Sequence, residues 1–253
     1  MMGKYTTGIA LGGGGARGFA HLGIMKALQE KGVYPDIYSG VSAGAIAGVF
    51  LAAGFSPEET HNILKENGFF KYSRVHIPKT GLLSLEGLKE IIEKHIEAKD
   101  IQDLKHPLIV TVSNITDGKV EYIDRGNVGE TILASCSIPI LFAPVEIDGK
   151  LYVDGGLFDN LPVKPLQKRC KRIIAANISP LLKNVELDGL VQIATRIFHL
   201  SIGSKIEQKK DQCDLFIEPE GLRDYHTLAA GHADELFELG YKFTRELSIQ
   251  WEK

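Results

Sequence analysis

Thr7-Gly8-Ile9-Ala10-Leu11 is a short apolar run that stops at four glycines, Gly12 to Gly15. Apolar residues then recur at helical spacing as Phe19, Leu22, Met25 and Leu28. The run bounded by glycine predicts a buried strand, and the period predicts a helix from Phe19 to about Lys31, ended by Gly32. The same alternation follows at once. Asp36-Ile37-Tyr38-Ser39 predicts a second strand, and the alanine-rich stretch Ala43 to Ala53 a second helix. Ser56-Pro57-Glu58-Glu59 carries the serine, first-position proline and third-position glutamate of a helix start, for a helix to about Asn67. Gly68 to Leu83 shows no period, and Ser84 caps a further helix to about Lys99 with Leu85, Leu88, Ile92 and Ile96 on one face.

Leu108 to Val112 predicts a buried strand, and Asp117-Gly118 turns it into a hairpin with Val120 to Ile123. Gly129 to Ser135 reads as a short helix, stopped by Ser137-Ile138-Pro139-Ile140. Val145 to Ile147 and Leu151 to Val153 flank Asp148-Gly149, a second hairpin. Arg172 to Ile178 and Leu215 to Ile217 are further strands, with a long helix from Leu187 to about Lys209 between them. Leu236, Leu239, Phe243, Leu247 and Trp251 form a stripe along a terminal helix expected to dock on the sheet. Strands alternating with helices predict an α/β fold with a mainly parallel sheet. No repeat, low-complexity tract or linker interrupts it, so one domain over residues 1–253 is expected, its C-terminal helices (187–253) packed on the rest.

Bulk properties narrow this little. The chain has 253 residues, 44% hydrophobic and 24% charged, an ordinary globular balance. A net charge of -3 leaves no basic excess for a nucleic-acid backbone. Cys136, Cys170 and Cys213 are widely spaced, which argues against a disulfide framework or a zinc site. No metal-ligand cluster is apparent, so neither a metal nor a cofactor is expected. No charged-then-apolar leader precedes the first strand, and the longest mostly apolar run, Ala43 to Phe55, is too short to span a bilayer. The default is a cytoplasmic protein, with transient membrane-surface contact and oligomeric state left open.

Candidate chemistry concentrates at Gly40-Val41-Ser42-Ala43-Gly44, between the second strand and second helix. A serine on a sharp strand-to-helix turn is the nucleophile-elbow pattern. Side chains at Gly40 and Gly44 would collide with the neighbouring helix and strand, and the helix starting at Ser42 turns free N–H groups toward the reacting centre. The glycine loop contains G-x-G-x-x-G as Gly13, Gly15 and Gly18. It reads either as a dinucleotide turn or as an oxyanion hole, where absent side chains let backbone N–H groups approach a small anionic oxygen. The nucleotide reading needs an acidic residue ending the second strand; Asp36 begins it instead. Asp154-Gly155-Gly156, delivered by the second hairpin, places a carboxylate at a strand end or is an ordinary turn. Phe69, Phe70, Lys71, Tyr72, Arg74 and Lys79 mix aromatic and basic residues in the long irregular stretch, which suits either a lid at a lipid interface or a loop pinned to the core.

Taken in order, Gly13-Gly14-Gly15-Ala16-Arg17-Gly18, Gly40-Val41-Ser42-Ala43-Gly44 and Asp154-Gly155-Gly156 resemble the motifs of the patatin-like phospholipase family. Ala134-Ser135-Cys136-Ser137-Ile138-Pro139 and Leu157-Phe158-Asp159-Asn160-Leu161-Pro162-Val163 match its flanking segments. The resemblance covers about residues 8–178 and is similar to small stand-alone bacterial members. It implies a three-layer α/β/α sandwich and hydrolysis of fatty-acyl esters of phospholipids or lysophospholipids. It also implies Ser42 as nucleophile and Asp154 as its base, with no histidine between them. The loop from Gly13 through Gly14, Gly15, Ala16, Arg17 and Gly18 would form the oxyanion hole, Arg17 fixing the loop and adding positive potential, while Gly40, Gly44, Gly155 and Gly156 support elbow and dyad. Asn114 departs from the family, which often has aspartate there.

Two rivals remain. A Ser-His-Asp esterase in the chain order Ser, Asp, His could draw on His199, His226 or His232, though its oxyanion loop would normally contain a histidine that this loop lacks. A nucleotide-binding regulatory module would use the glycine loop alone. His21, on the first helix, reads as a packing or polar contact.

Overall fold

The computed structural model describes residues 3–67, 85–180, 189, 193, 196–198, 200, 202, 206–225, 230–249 and 251. The expected loop from Phe69 to Lys79, the Ser84 cap, and His199 and His226 lie outside the described residues. Of the helix expected from Leu187 to Lys209, the described positions 193, 196–198, 200 and 202 are helical, and Glu207–Lys210 forms its own turn.

Eight strands form one sheet: β1 (Tyr5–Leu11), β2 (Ile37–Gly40), β3 (Leu108–Asn114), β4 (Lys119–Ile123), β5 (Val145–Ile147), β6 (Lys150–Asp154), β7 (Cys170–Ala176) and β8 (Leu215–Ile217). Their order is β5-β6-β3-β2-β1-β7-β8, with β4 also paired to β3. The run β3-β2-β1-β7-β8 is parallel, and the two hairpins add antiparallel strands at one side. Parallel strands are buried on both faces, and side chains alternate between two cores. Ile9 and Leu11 of β1 and Ile174 and Ala176 of β7 enter one core; Ala10, Ile173 and Ala175 enter the other.

The first core is covered by α1 (Phe19–Glu30), α2 (Ala43–Ala53), α3 (Pro57–Asn67), α4 (Glu86–His95) and α5 (Val128–Cys136). The second is covered by Leu161, Val163 and Leu166 together with Ile206. The architecture is an α/β/α sandwich of three layers. At the start of α3 the expected capping box is present: Ser56 N–H donates to Glu59 Oε2 at 2.8 Å, and Glu59 N–H to Ser56 Oγ at 3.1 Å. The following helix is shorter than the period suggested. It ends at His95, because Ile96 turns extended while remaining buried, and the chain leaves toward the Asp100–Asn127 bridge.

The terminal helix, α6 (Ala233–Glu246), docks chiefly on α1 rather than on the sheet. Two glycines set the approach. A Cβ at Gly23 would sit on the Phe237 carbonyl, and one at Gly240 on the Ala20 carbonyl. The apolar stripe also outruns the helix: Trp251 lies past its end, with the Arg172 guanidinium 5.1 Å from the ring. Among the described residues no helix is long and apolar enough to cross a membrane.

One feature of the pairing positions the site. Along one edge, β3 pairs with β4 from Val110 to Asn114. The opposite edge must therefore serve both remaining partners. Parallel β2 occupies it up to Gly40 against Val110, and antiparallel β6 takes Val112 to Asn114, with Asp154 against Val112. So β2 and β6 run toward each other along β3 and meet at their carboxyl ends. Ser42 leaves one end and Asp154 stands at the other.

Candidate active site

The elbow is present as a backbone feature. Ser42 has φ 52° and ψ -123°, a conformation that side chains rarely adopt and that costs on the order of 1–3 kcal/mol. Several bonds hold it there. Val41 N–H reaches the Leu11 carbonyl at 3.2 Å, and the Ser42 carbonyl accepts from Ala45 and Ile46 in the first turn of α2. Ser42 N–H donates to Ser135 Oγ at 2.9 Å, and Ser135 Oγ donates to the Thr111 carbonyl at 2.7 Å. The expected crowding is also real: a Cβ at Gly44 would overlap the Leu11 carbonyl, and one at Gly40 would lie 2.5 Å from the Gly44 carbonyl.

Asp154 lies at the end of β6, 1% exposed. Gly155 lets it approach the elbow, since a Cβ there would overlap the Thr111 carbonyl and lie 2.9 Å from Val41 Cγ2. Burial drives the Asp154 carboxyl up to about 7. Hydrogen bonds from the Ser42 hydroxyl and from Gly156 N–H, the latter at 2.8 Å, pull it partly back. Ser42 and Asp154 are therefore brought together, both buried, in the wall of one cleft.

The glycine loop closes the same cleft. Gly13, Gly14 and Gly15 line it with Ser42 and Asp154, and Ile138, Phe198 and Ile202 add apolar wall. The six loop residues are not equivalent. Gly13 N–H is spent on the Asn160 carbonyl at 3.1 Å, and Arg17 N–H on the Gly14 carbonyl at 3.3 Å. Gly14, Gly15 and Ala16 N–H have no partner among the described residues, at the start of the short 3₁₀ turn Gly15–Gly18. Of these, Gly14 and Gly15 line the Ser42 cleft and Ala16 does not.

Arg17 fixes the loop as expected, but away from the cleft. Its guanidinium is buried and donates through Nε and Nη2 to the Tyr225 carbonyl, at 2.9 and 2.6 Å. It fixes the loop to the C-terminal part of the chain, and it is not among the described residues lining the cleft. His21 is fully buried on α1, and burial pushes its pKa down to about 4. The neutral ring donates from Nε2 to the Gly12 carbonyl at 2.7 Å, a second anchor for the loop.

Asn160 carries no site role in the sequence reading, yet it ties the two loops together. Its backbone carbonyl accepts from Gly13, its Nδ2 donates to the Gly13 carbonyl at 3.3 Å, and its Oδ1 would collide with a Cβ at either Gly13 or Gly156. Ser135 was missed likewise. Both fall in the flanking segments, which were the signal available. Asn114 also makes sense in place. Its Nδ2 donates to Asp117 and Glu121, at 3.2 and 2.9 Å, where an aspartate would face two carboxylates.

The rivals fare differently. Asp36 accepts from Thr6 and Thr7 N–H at the amino end of β1, the opposite end of that strand from the glycine loop, and cannot serve a nucleotide held by the loop. Among the described residues lining the cleft there is no histidine, and His232 pairs with Glu235 on the surface.

The sequence model of the patatin-like phospholipase family matches residues 9–166. An NTE family protein of Mycobacterium tuberculosis is 34% identical over 160 residues, covering 62% of this chain and 44% of the relative. Lysophospholipase NTE1 of Candida albicans is 24% identical over 288 residues, covering 99% of this chain and 20% of the relative. The chain thus spans less than half the length of these curated relatives. The crystal structure of VipD from Legionella pneumophila shares the fold, with a TM-score of 0.54 at 16% identity over 95% of this chain and 66% of that one.

Proposed function

Since the chain belongs to the patatin-like phospholipase family, we propose that it is a serine-dependent lipid acyl hydrolase working through Ser42 and Asp154. The observation that carries this reading is the meeting of Ser42 with the buried carboxyl of Asp154 in one cleft that Gly13, Gly14 and Gly15 also line. A serine hydroxyl is too weak a nucleophile without a base beside it. A carboxylate in water is a poor base, but one whose pKa stands at about 7 is matched to work at neutral pH.

The chemistry follows from the placement. Ser42 Oγ attacks the ester carbonyl as its proton passes to Asp154. The oxyanion forms against Gly14 and Gly15 N–H. Collapse breaks the ester bond, and the departing alcohol takes the proton from Asp154. Water then attacks the acyl-Ser42 ester as Asp154 takes its proton, and collapse frees the carboxylic acid while Ser42 Oγ takes that proton back. No histidine is needed for any step. The apolar walls at Ile138, Phe198 and Ile202 and the lysophospholipase among the relatives support a fatty-acyl ester as substrate, reached by transient contact with a lipid surface.

The test is release of free fatty acid from lysophosphatidylcholine micelles and of nitrophenol from p-nitrophenyl butyrate. The wild-type protein is expected to turn over both, and Ser42→Ala to lose both while keeping the wild-type circular dichroism. A folded Ser42→Ala protein with near-parental turnover would refute the proposal.

A further inference from the structure

A buried ion pair stands behind the loop that follows Asp154. Asp159, 6% exposed, takes the Lys209 ammonium on Oδ1 at 3.0 Å. Its Oδ2 accepts from the Tyr122 hydroxyl at 2.7 Å, and Leu161 N–H reaches Oδ1 at 3.4 Å. Asp159, Lys209 and Tyr122 are not among the described residues lining the Ser42 cleft. We propose that Asp159 is a positioning residue for the reaction: held by Lys209 and Tyr122, it sets the loop that carries both the N–H donor to Asp154 and the clamp on the glycine loop. The assignment rests on the hydrolase reading above and adds what keeps the base and the oxyanion site in register.

What the carboxylate holds is the stretch from Asp154 to Asn160. Asp159 N–H donates to the Gly155 carbonyl at 2.9 Å, and the Asp159 side chain reaches past Asn160 to Leu161 N–H. Two contacts with the chemistry lie inside that stretch. Gly156 N–H donates to Asp154 Oδ1 at 2.8 Å, and Asn160 exchanges bonds with Gly13 through its carbonyl and its Nδ2. A shift of the loop therefore moves the donor to the base and the anchor of the glycine loop together. The two side chains that hold Asp159 come from different elements. Tyr122 sits on β4 opposite Thr111, whose carbonyl holds Ser135 and through it the Ser42 N–H. Lys209 belongs to the turn Glu207–Lys210. Ile202, before it in the chain, lines the Ser42 cleft and packs over Gly156, where a Cβ would lie 3.4 Å from Ile202 Cδ1. Asp159 thus fastens the loop to the elbow side of the sheet and to the segment that walls the cleft. Stability alone does not call for charges here. Well-packed apolar residues of similar volume are often as stable as a buried ion pair or more so, whereas charged, directed hydrogen bonds accept few geometries.

The experiment is Ser42-dependent turnover of p-nitrophenyl butyrate, read as kcat, KM and the pH profile of kcat/KM. The variants are Asp159→Asn, Lys209→Met and the two combined. A misplacement of about 1 Å can cost about 10²-fold, so kcat per folded protein should fall by about tenfold to a hundredfold, with KM changed far less. The pH midpoint separates positioning from charge. Against the upward push of burial, the Gly156 N–H bond holds the Asp154 carboxyl down. A loosened loop should therefore raise the midpoint in all three variants. Direct charge effects alone would lower it in Asp159→Asn, raise it in Lys209→Met and leave it in place in the double variant. Lys209→Arg, which keeps the charge, should recover most of kcat and return the midpoint. The double variant leaves no unpaired buried charge, and it carries the test if either single variant does not fold. Tyr122→Phe, which removes one donor and no charge, should shift kcat and midpoint the same way by a smaller step. Midpoints that move in opposite directions would overturn the assignment while leaving the hydrolase reading standing. So would unchanged kcat and midpoint in folded variants, even where thermal stability drops. Absence of any Ser42-dependent turnover in the wild type would overturn the hydrolase reading, and this assignment with it.

Discussion

Asp154→Asn should abolish ester turnover about as completely as Ser42→Ala while making the protein more stable at pH 8. Asparagine keeps the size of the side chain and can still accept from Gly156 N–H. What it lacks is basicity. Residues that act as one unit lose nearly everything when either is removed, so a fall of about 10⁴-fold in kcat is expected. The stability gain follows from the same burial. The Asp154 carboxyl is raised from 3.8 to about 7 in the fold. Below about pH 4 folded and unfolded chains are both protonated there, and the site costs nothing. Between pH 4 and 7 the unfolded chain releases its proton and the fold retains it, so stability falls as pH rises. Above 7 the cost is complete, at most about 4 kcal/mol. Asp154→Asn removes it, so thermal unfolding should occur several degrees higher than wild type at pH 8 and show no gain near pH 4. The wild-type kcat/KM should rise with pH through a midpoint near 7, where the base ionises. An active Asp154→Asn protein, or a flat pH profile across that range, would break the link between this carboxyl and the chemistry.

Gly14→Ala is expected to cost about 10²–10³ in kcat with little change in KM. A methyl at Gly14 would lie 2.9 Å from the Ile178 side chain and 3.1 Å from its carbonyl oxygen. The side chain can yield, but the carbonyl cannot, so the loop must move. That movement displaces the Gly14 and Gly15 N–H groups, whose bonds to an oxyanion form mainly in the transition state. Steady-state kinetics on p-nitrophenyl butyrate separates the two parameters. A rise in KM alone would mean that the loop binds the ground state and has a different role.

The parts of this site that were legible in the sequence are those with local signals. Gly40 to Gly44 is a strand, a turn and a helix start within a few residues, and the collision that demands Gly40 comes from the helix it leads into, although the one that demands Gly44 comes from Leu11 of β1. The hairpin at Asp148-Gly149 and the capping box at Ser56 are equally local. The long-range parts were not legible. Ser135 reaches the elbow N–H from 93 residues away, and Asn160 meets the glycine loop across 147. No periodicity encodes such contacts. Arg17 illustrates the limit: an arginine beside a glycine turn suggests charge at the cleft, but the C-terminal segment offers the Tyr225 carbonyl, and a bidentate bond to it satisfies the buried guanidinium. The terminal helix misled for a similar reason. Its apolar stripe fits a sheet or a helix equally well, and only the facing pair Gly23 and Gly240 selects α1.

The most direct test of the account is the covalent fate of Ser42. A fluorophosphonate reacts only with a serine that is activated and exposed to an oxyanion site, and the adduct can be located by peptide mass spectrometry. One adduct per chain is expected, on the peptide containing Ser42, formed in the wild type and abolished in Ser42→Ala and Asp154→Asn. An unlabelled Ser42 in folded wild-type protein, or an adduct on another serine that persists in Ser42→Ala, would contradict it.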